Sequence, residues 1–171
     1  MAYSSNLLGM NDAVAHHPSV VRVRQRLSEL NLNSEITILT DSARSAREAA
    51  DALGVNVGQI CSSLIFASAG NPILILTSGR HRVDTELVAR EQGLAKLERA
   101  DADLVKSSTG FAIGGVAPIG HINPITTYID LALAEYPIVW AAAGHPHAVF
   151  PTTFDELLRI TGATPIAVAA E

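Results

Sequence analysis

Three short segments of the chain carry groups able to do chemistry. Thr109-Gly-Phe-Ala-Ile-Gly-Gly-Val-Ala-Pro-Ile-Gly120 holds four glycines and a proline within twelve residues. Glycine takes positive φ and lets a ligand approach bare N–H groups, so such a loop can grip an ester carbonyl or a phosphate with backbone donors. No Lys-Ser/Thr pair follows it, which excludes a Walker loop, and no strand-turn-helix context makes it a dinucleotide fingerprint. The same composition also suits a tight turn that only redirects the chain. Gln59-Ile-Cys-Ser-Ser-Leu-Ile-Phe66 sets a thiol and two hydroxyls, Cys61, Ser62 and Ser63, at the head of an apolar run. A serine nucleophile needs a base and an orienting group in reach. A lone cysteine among apolar neighbours is more often buried and inert. Gly144-His-Pro-His-Ala148 follows another apolar run. His145 and His147 can border a pocket or sit in an exposed polar loop; without nearby carboxylates they are a weak metal pair.

Basic residues gather at Arg22/Arg24/Arg26, Arg44/Arg47 and Arg80-His81-Arg82. Each reads first as a solvated face. Arg80 and Arg82, just after Gly79 at the end of an expected strand, are the best placed to touch a phosphate.

These residues need elements to position them. Residues 1–17, with His16-His17, lack a period and read as a ragged, solvated start. From Pro18, Val20, Val23, Leu27 and Leu30 repeat at helical spacing. Ile36–Leu39 reads as a short strand. Asp41 or Ser42 can cap a helix with Ala46, Ala49, Ala50 and Leu53 on its apolar face, ended by Gly54. Residues 61–67 and 73–77 form a hairpin pattern. Asp84 caps a helix closed by Gly93, and residues 102–107 read as a short helix. Residues 109–124 read as an ordered loop. Residues 127–131 and 138–143 read as strands. Thr153 and Glu156 suggest a capping box before a helix ended by Gly162, and residues 166–168 read as a last strand. Interspersed elements around a hairpin predict a mixed α/β fold of α+β type, a largely antiparallel sheet with flanking helices.

The 171 residues fit one domain, and 48% apolar content supplies a core. A net charge of −5 argues against strong non-specific attraction to a nucleic-acid backbone, so DNA is not an expected partner. Cys61 is the only cysteine, which excludes an intramolecular disulfide and a cysteine-rich zinc site. No charged-then-apolar leader opens the chain and no apolar run reaches spanning length, which predicts a cytoplasmic protein with no membrane partner.

Taken in order, several segments resemble the YbaK/prolyl-tRNA synthetase-associated family. They are Ala49-Ala-Asp-Ala-Leu-Gly-Val55, Gln59–Phe66, Ile75-Leu-Thr-Ser-Gly79 with Arg82-Val-Asp84, Ser108–Gly120, Tyr128-Ile-Asp130 and Ala142-Ala-Gly-His145. The resemblance spans about residues 20–168 and implies a domain over 18–171. It implies a mixed α/β fold and hydrolysis of the ester joining a wrong amino acid to the 3′ end of a tRNA, without cofactor or metal. Self-association into a homo-oligomer is compatible with it. Water attacks the ester carbonyl, so the site must position water and stabilise an oxyanion. By resemblance, Gly114 and Gly115 supply backbone donors in the catalytic loop, with Ser62 at the catalytic position. Thr109, Gly110, Pro118, His145, Ser63, Arg80 and Arg82 would contact substrate. Ser62 stands where many family members carry lysine; serine keeps a donor but loses the charge and reach. Three consequences are open. The substrate class differs, Arg80 or Arg82 supplies the charge, or hydrolysis is lost and a binding module remains.

Overall fold

The apolar run after Gln59 and the one after Gly70 pair as the hairpin their spacing predicts. The computed structural model, which describes residues 2–41 and 43–170, gives β2 as Ile60–Ser68 and β3 as Asn71–Ser78. Ser68 faces Asn71, so only Ala69 and Gly70 form the turn, both at positive φ (49° and 81°). Two such residues give the turn that matches strand twist, which lets the strands extend beyond the expected bounds.

Around this hairpin lie β1 (Thr37–Ile38), β4 (Leu97–Arg99), β5 (Thr126–Asp130), β6 (Val139–His145), β7 (Ala148–Thr152) and β8 (Thr164–Ile166). The order is β1-β7-β6-β2-β3-β5-β8, with β4 also on β2. The pairs β1–β7, β2–β3, β2–β4 and β6–β7 are antiparallel; β2–β6, β3–β5 and β5–β8 are parallel. The fold is therefore mixed α/β around a mixed sheet in which antiparallel pairing predominates. β4 and β7 were not expected; each is short, and β7 contains Pro151, which cannot donate to a strand ladder.

The helices are α1 (Ala2–Ala15), α2 (Pro18–Glu29), α3 (Ala46–Leu53), α4 (Thr85–Gln92), α5 (Ala102–Thr109) and α6 (Phe154–Thr161). The start is thus helical where an irregular segment was expected. Its sequence has no apolar stripe, and Val14 of its last turn joins the core. His17 is not merely solvated: its ring accepts the Ser19 N–H at 3.2 Å and caps α2. α3 is capped by Ser45, which accepts the Glu48 N–H at 3.1 Å, rather than by Asp41; Ser42 lies outside the described residues. Gly54, Gly93 and Gly162 end α3, α4 and α6 as their spacing predicts.

Val20, Val23 and Leu27 of α2 pack on one sheet face with Phe111, Phe150 and Leu157. Each such buried side chain contributes about 1.5–3 kcal/mol. The other face carries two smaller clusters, one under α4 around Val88 and one where Ala49 and Ala50 of α3 meet Ile60.

Candidate active site

The sheet splits beside Ser62 and Ser63. β6 pairs with β2 only at Ile60 and Cys61, and β4 takes the same edge only from Phe66 onward. Between them, residues 62–65 of β2 have no strand partner on that side. Ile60 C=O accepts the Gly79 N–H on the β3 side, whereas Ile65 C=O accepts the Ala100 N–H on the open side. The strand period of two then turns the backbone N–H and C=O of Ser63 into the slot.

A cavity of about 220 Å³ opens there. Its walls come from the start of α3 (Arg44, Ser45, Ala46, Ala49), from β2 (Cys61 to Ile65), from the glycine loop (Ile113, Gly114, Val116), from Arg99 and Ala100, and from β6 with its turn (Trp140, Ala142, His145, Pro146). Ser62 shares the α3 face with Ile60, and Ser63 the opposite face with Cys61 and Ile65, so the cavity reaches both faces of the sheet. Ser63 Oγ is buried without a protein hydrogen-bond partner. Such an atom costs about 1–3 kcal/mol unless a ligand or water satisfies it.

His145 reaches the cavity because β6 is irregular. Ala142 faces Val149 and His145 faces Ala148, so the strand carries two residues more than its partner between these points. The bulge re-aims the end of the strand, and Ala142 and His145 both line the cavity. Gly144 makes this possible at φ +95°, where an added Cβ would lie 2.6 Å from Ser19 O at the start of α2. His145 Nδ1 accepts the His147 N–H at 3.1 Å, which leaves Nε2 to carry the proton of the neutral ring. Burial, then the neighbouring His17 and His147, hold its pKa below the ordinary imidazole value. The rings of His17 and His147 lie 5.3 and 5.4 Å from that of His145. Even so, no group of three or more His, Cys, Asp or Glu among the described residues is arranged to hold a metal.

The glycine loop divides by role. Gly114, at φ +91°, is exposed on the cavity wall. Gly115 lies behind it. Its N–H is spent on Ala112 O at 3.1 Å, and an added Cβ would sit 3.0 Å from Gly144 C and O and His145 Cα. Gly115 therefore lets the loop seat against the His145 turn and is not a free donor. The N–H groups of Gly114 and Val116 have no partner among the described residues.

The structure brings Ser62, Ser63, Gly114 and His145 together and leaves the other expected contacts elsewhere. Thr109 is fully buried as the last residue of α5; its hydroxyl donates to Val105 O at 2.7 Å and accepts the Phe111 N–H at 3.0 Å. Gly110 caps the same helix at φ +81°, so these two residues close a helix instead of opening the loop. Pro118 is buried and borders a separate groove with Arg22 and His121. Arg80 pairs with Glu135 and with the Tyr136 hydroxyl at 3.2 Å, and neither it nor exposed Arg82 lines the cavity. Sequence reasoning read Arg44 and His17 as solvated and did not single out Arg99. Ser45-x-x-Glu48 was the signal that would have placed Arg44 at a helix start.

The sequence matches the family profile of the aminoacyl-tRNA editing domain over residues 40–160. The chain belongs to that family. The match takes in α3, the slot, the glycine loop and the His145 turn. Among relatives of this editing domain, the protein YwhH of Bacillus subtilis is 29% identical over 140 residues, covering 81% of this chain and 88% of its own length. EbsC of Enterococcus faecalis, described as a candidate Cys-tRNA(Pro)/Cys-tRNA(Cys) deacylase, is 27% identical and covers 68% of this chain and 77% of its own. A crystal structure described as a candidate trans-editing enzyme for prolyl-tRNA synthetase superposes with a TM-score of 0.84 at 41% identity, over 91% of this chain and 99% of that one. Among the described residues of this editing domain, no helix is long and apolar enough to cross a membrane.

Proposed function

We propose that the protein is a trans-acting aminoacyl-tRNA deacylase that hydrolyses the ester of a mischarged tRNA. One observation carries the reading: Ser62, Ser63, Gly114 and His145 meet at a single cavity with unpaired backbone donors. The 3′ aminoacyl group enters the slot. The N–H groups of Gly114 and Val116 receive the ester oxygen as it becomes an oxyanion, and fixed donors of this kind contribute about 2.7–4 kcal/mol each. His145, neutral with its proton on Nε2, donates toward the same group. Ser63 Oγ and the Ser63 backbone hold the attacking water. Water oxygen bonds to the carbonyl carbon, the carbon–ribose oxygen bond breaks, and the ribose oxygen takes the proton. The thiol of Cys61, pushed up to about 12 by burial and by Asp130, is not a nucleophile here.

A panel of mischarged tRNAs tests this, and release of one amino acid well above the buffer rate is expected. No release above buffer from any of them ends the enzyme reading. A binding module without hydrolysis is the second reading, favoured by Ser62 at the position where lysine is common in the family. Retention of a mischarged tRNA with its ester intact identifies it.

A further inference from the structure

The cavity lining contains two arginines and neither Asp nor Glu. In a chain with 17 acidic residues against 12 Lys and Arg, that is a local reversal of charge. Arg44 comes from the segment leading into α3. Arg99 comes from β4, opposite Phe66 of β2. Both are exposed, and neither guanidinium makes an ion pair or hydrogen bond among the described residues. The neighbouring carboxylates are committed elsewhere: Glu48 accepts the Arg44 backbone N–H at 2.9 Å, and Glu98 pairs with Lys96 at 3.6 Å. At about 220 Å³ the cavity lies below the roughly 300 Å³ at which pockets take a whole drug-sized ligand. It accepts an aminoacyl group with its ribose and leaves the remainder of a nucleotide at the mouth, where the arginines stand.

We propose that Arg44 and Arg99 form an anion subsite at this mouth that holds the phosphate joining the last two nucleotides of the tRNA. This rests on the deacylase reading of the cavity and names how that site grips its substrate. Guanidinium forks match phosphate oxygens in geometry and charge. Two of them, from two elements, supply the positive charge that Ser62 lacks.

The test measures binding alone, with amide analogues that cannot be hydrolysed. One set is 3′-aminoacylamido-adenosine carrying Ala, Ser or Cys; the other places the same group at the end of a cytidine-cytidine-adenosine trinucleotide. The trinucleotide is expected to bind about tenfold or more tighter at low salt. The slope of log Kd on log salt is expected to fall by about 0.7 in the Arg44→Gln/Arg99→Gln double variant, the amount for one phosphate, with a part of that fall in each single variant. Arg90→Gln on α4 serves as the control and should leave the slope unchanged. Equal affinity for the two sets, or an unchanged slope in the double variant, overturns the subsite while leaving the deacylase reading standing. Failure of every analogue to bind removes both.

Discussion

His145 shows how neighbouring residues set a side chain's chemistry. His17 and His147 approach its ring, and with burial they keep it neutral. Replacing His17 by Asn keeps a cap for α2 and removes one of these neighbouring imidazoles. The His145 midpoint, followed by NMR titration, is then expected to rise toward the ordinary value, and an unmoved midpoint would deny His17 this role. The depressed midpoint also fixes a sign for stability. Between it and the ordinary value of about 6.5 the unfolded chain binds more protons than the folded one. His145 therefore contributes fully above that range and loses stability as pH falls through it, which urea titrations at several pH values can follow. Gly115 makes a sharper case. A methyl group there meets backbone 3.0 Å away, so the loop must retreat from His145. Gly115→Ala is expected to lower deacylation at least about tenfold while the urea midpoint moves little; intact turnover would separate the loop from catalysis.

Elements fail or succeed through the residues that tie their ends. Asp130, at the end of β5, accepts the Ser78 N–H of β3 at 3.0 Å and the Ala132 N–H at 2.9 Å, and contacts His81 Nδ1 at 2.8 Å. Its side chain is 1% exposed. Asp130→Ala is expected to cost about 3–5 kcal/mol in urea unfolding, because buried donors lose their acceptor. A loss below 1 kcal/mol would show that the ends of β3 and β5 are held by other contacts. Elements of this kind were largely legible. The α2 stripe, the Asp84 cap and the central hairpin follow from local periodicity and turn chemistry. The site was legible only in part. Ser62, Ser63, Gly114 and His145 stood out by type, but nothing local reveals that β6 leaves β2 after Cys61 or that a bulge re-aims His145. Arg80 and Arg82 were attractive because they follow a strand. The tertiary fold directs that strand end toward Glu135 and Tyr136 instead, and the cations at the cavity come from the segment before α3 and from β4.

At the scale of the whole molecule, an acidic chain with the proposed deacylase activity must confine its attraction for RNA to a small region. The net charge of −5 disfavours duplex phosphates generally, so recognition belongs at the 3′ end. If the proposed reading holds, a tRNA trimmed of its three terminal nucleotides is expected not to compete for the protein, whereas competition equal to that of intact tRNA would place recognition on the acceptor stem. The gap in the sheet has a further meaning. An unpaired strand edge invites pairing with other chains, and proteins usually shield it at the outer rim. Here the unpaired stretch of β2 lies in the middle of the sheet, fenced by β6 at one end and β4 at the other. Four residues between two fences offer a second chain little room to pair, and the proposed ester needs less. The molecule can therefore keep reactive backbone open to a small guest without exposing itself to aggregation.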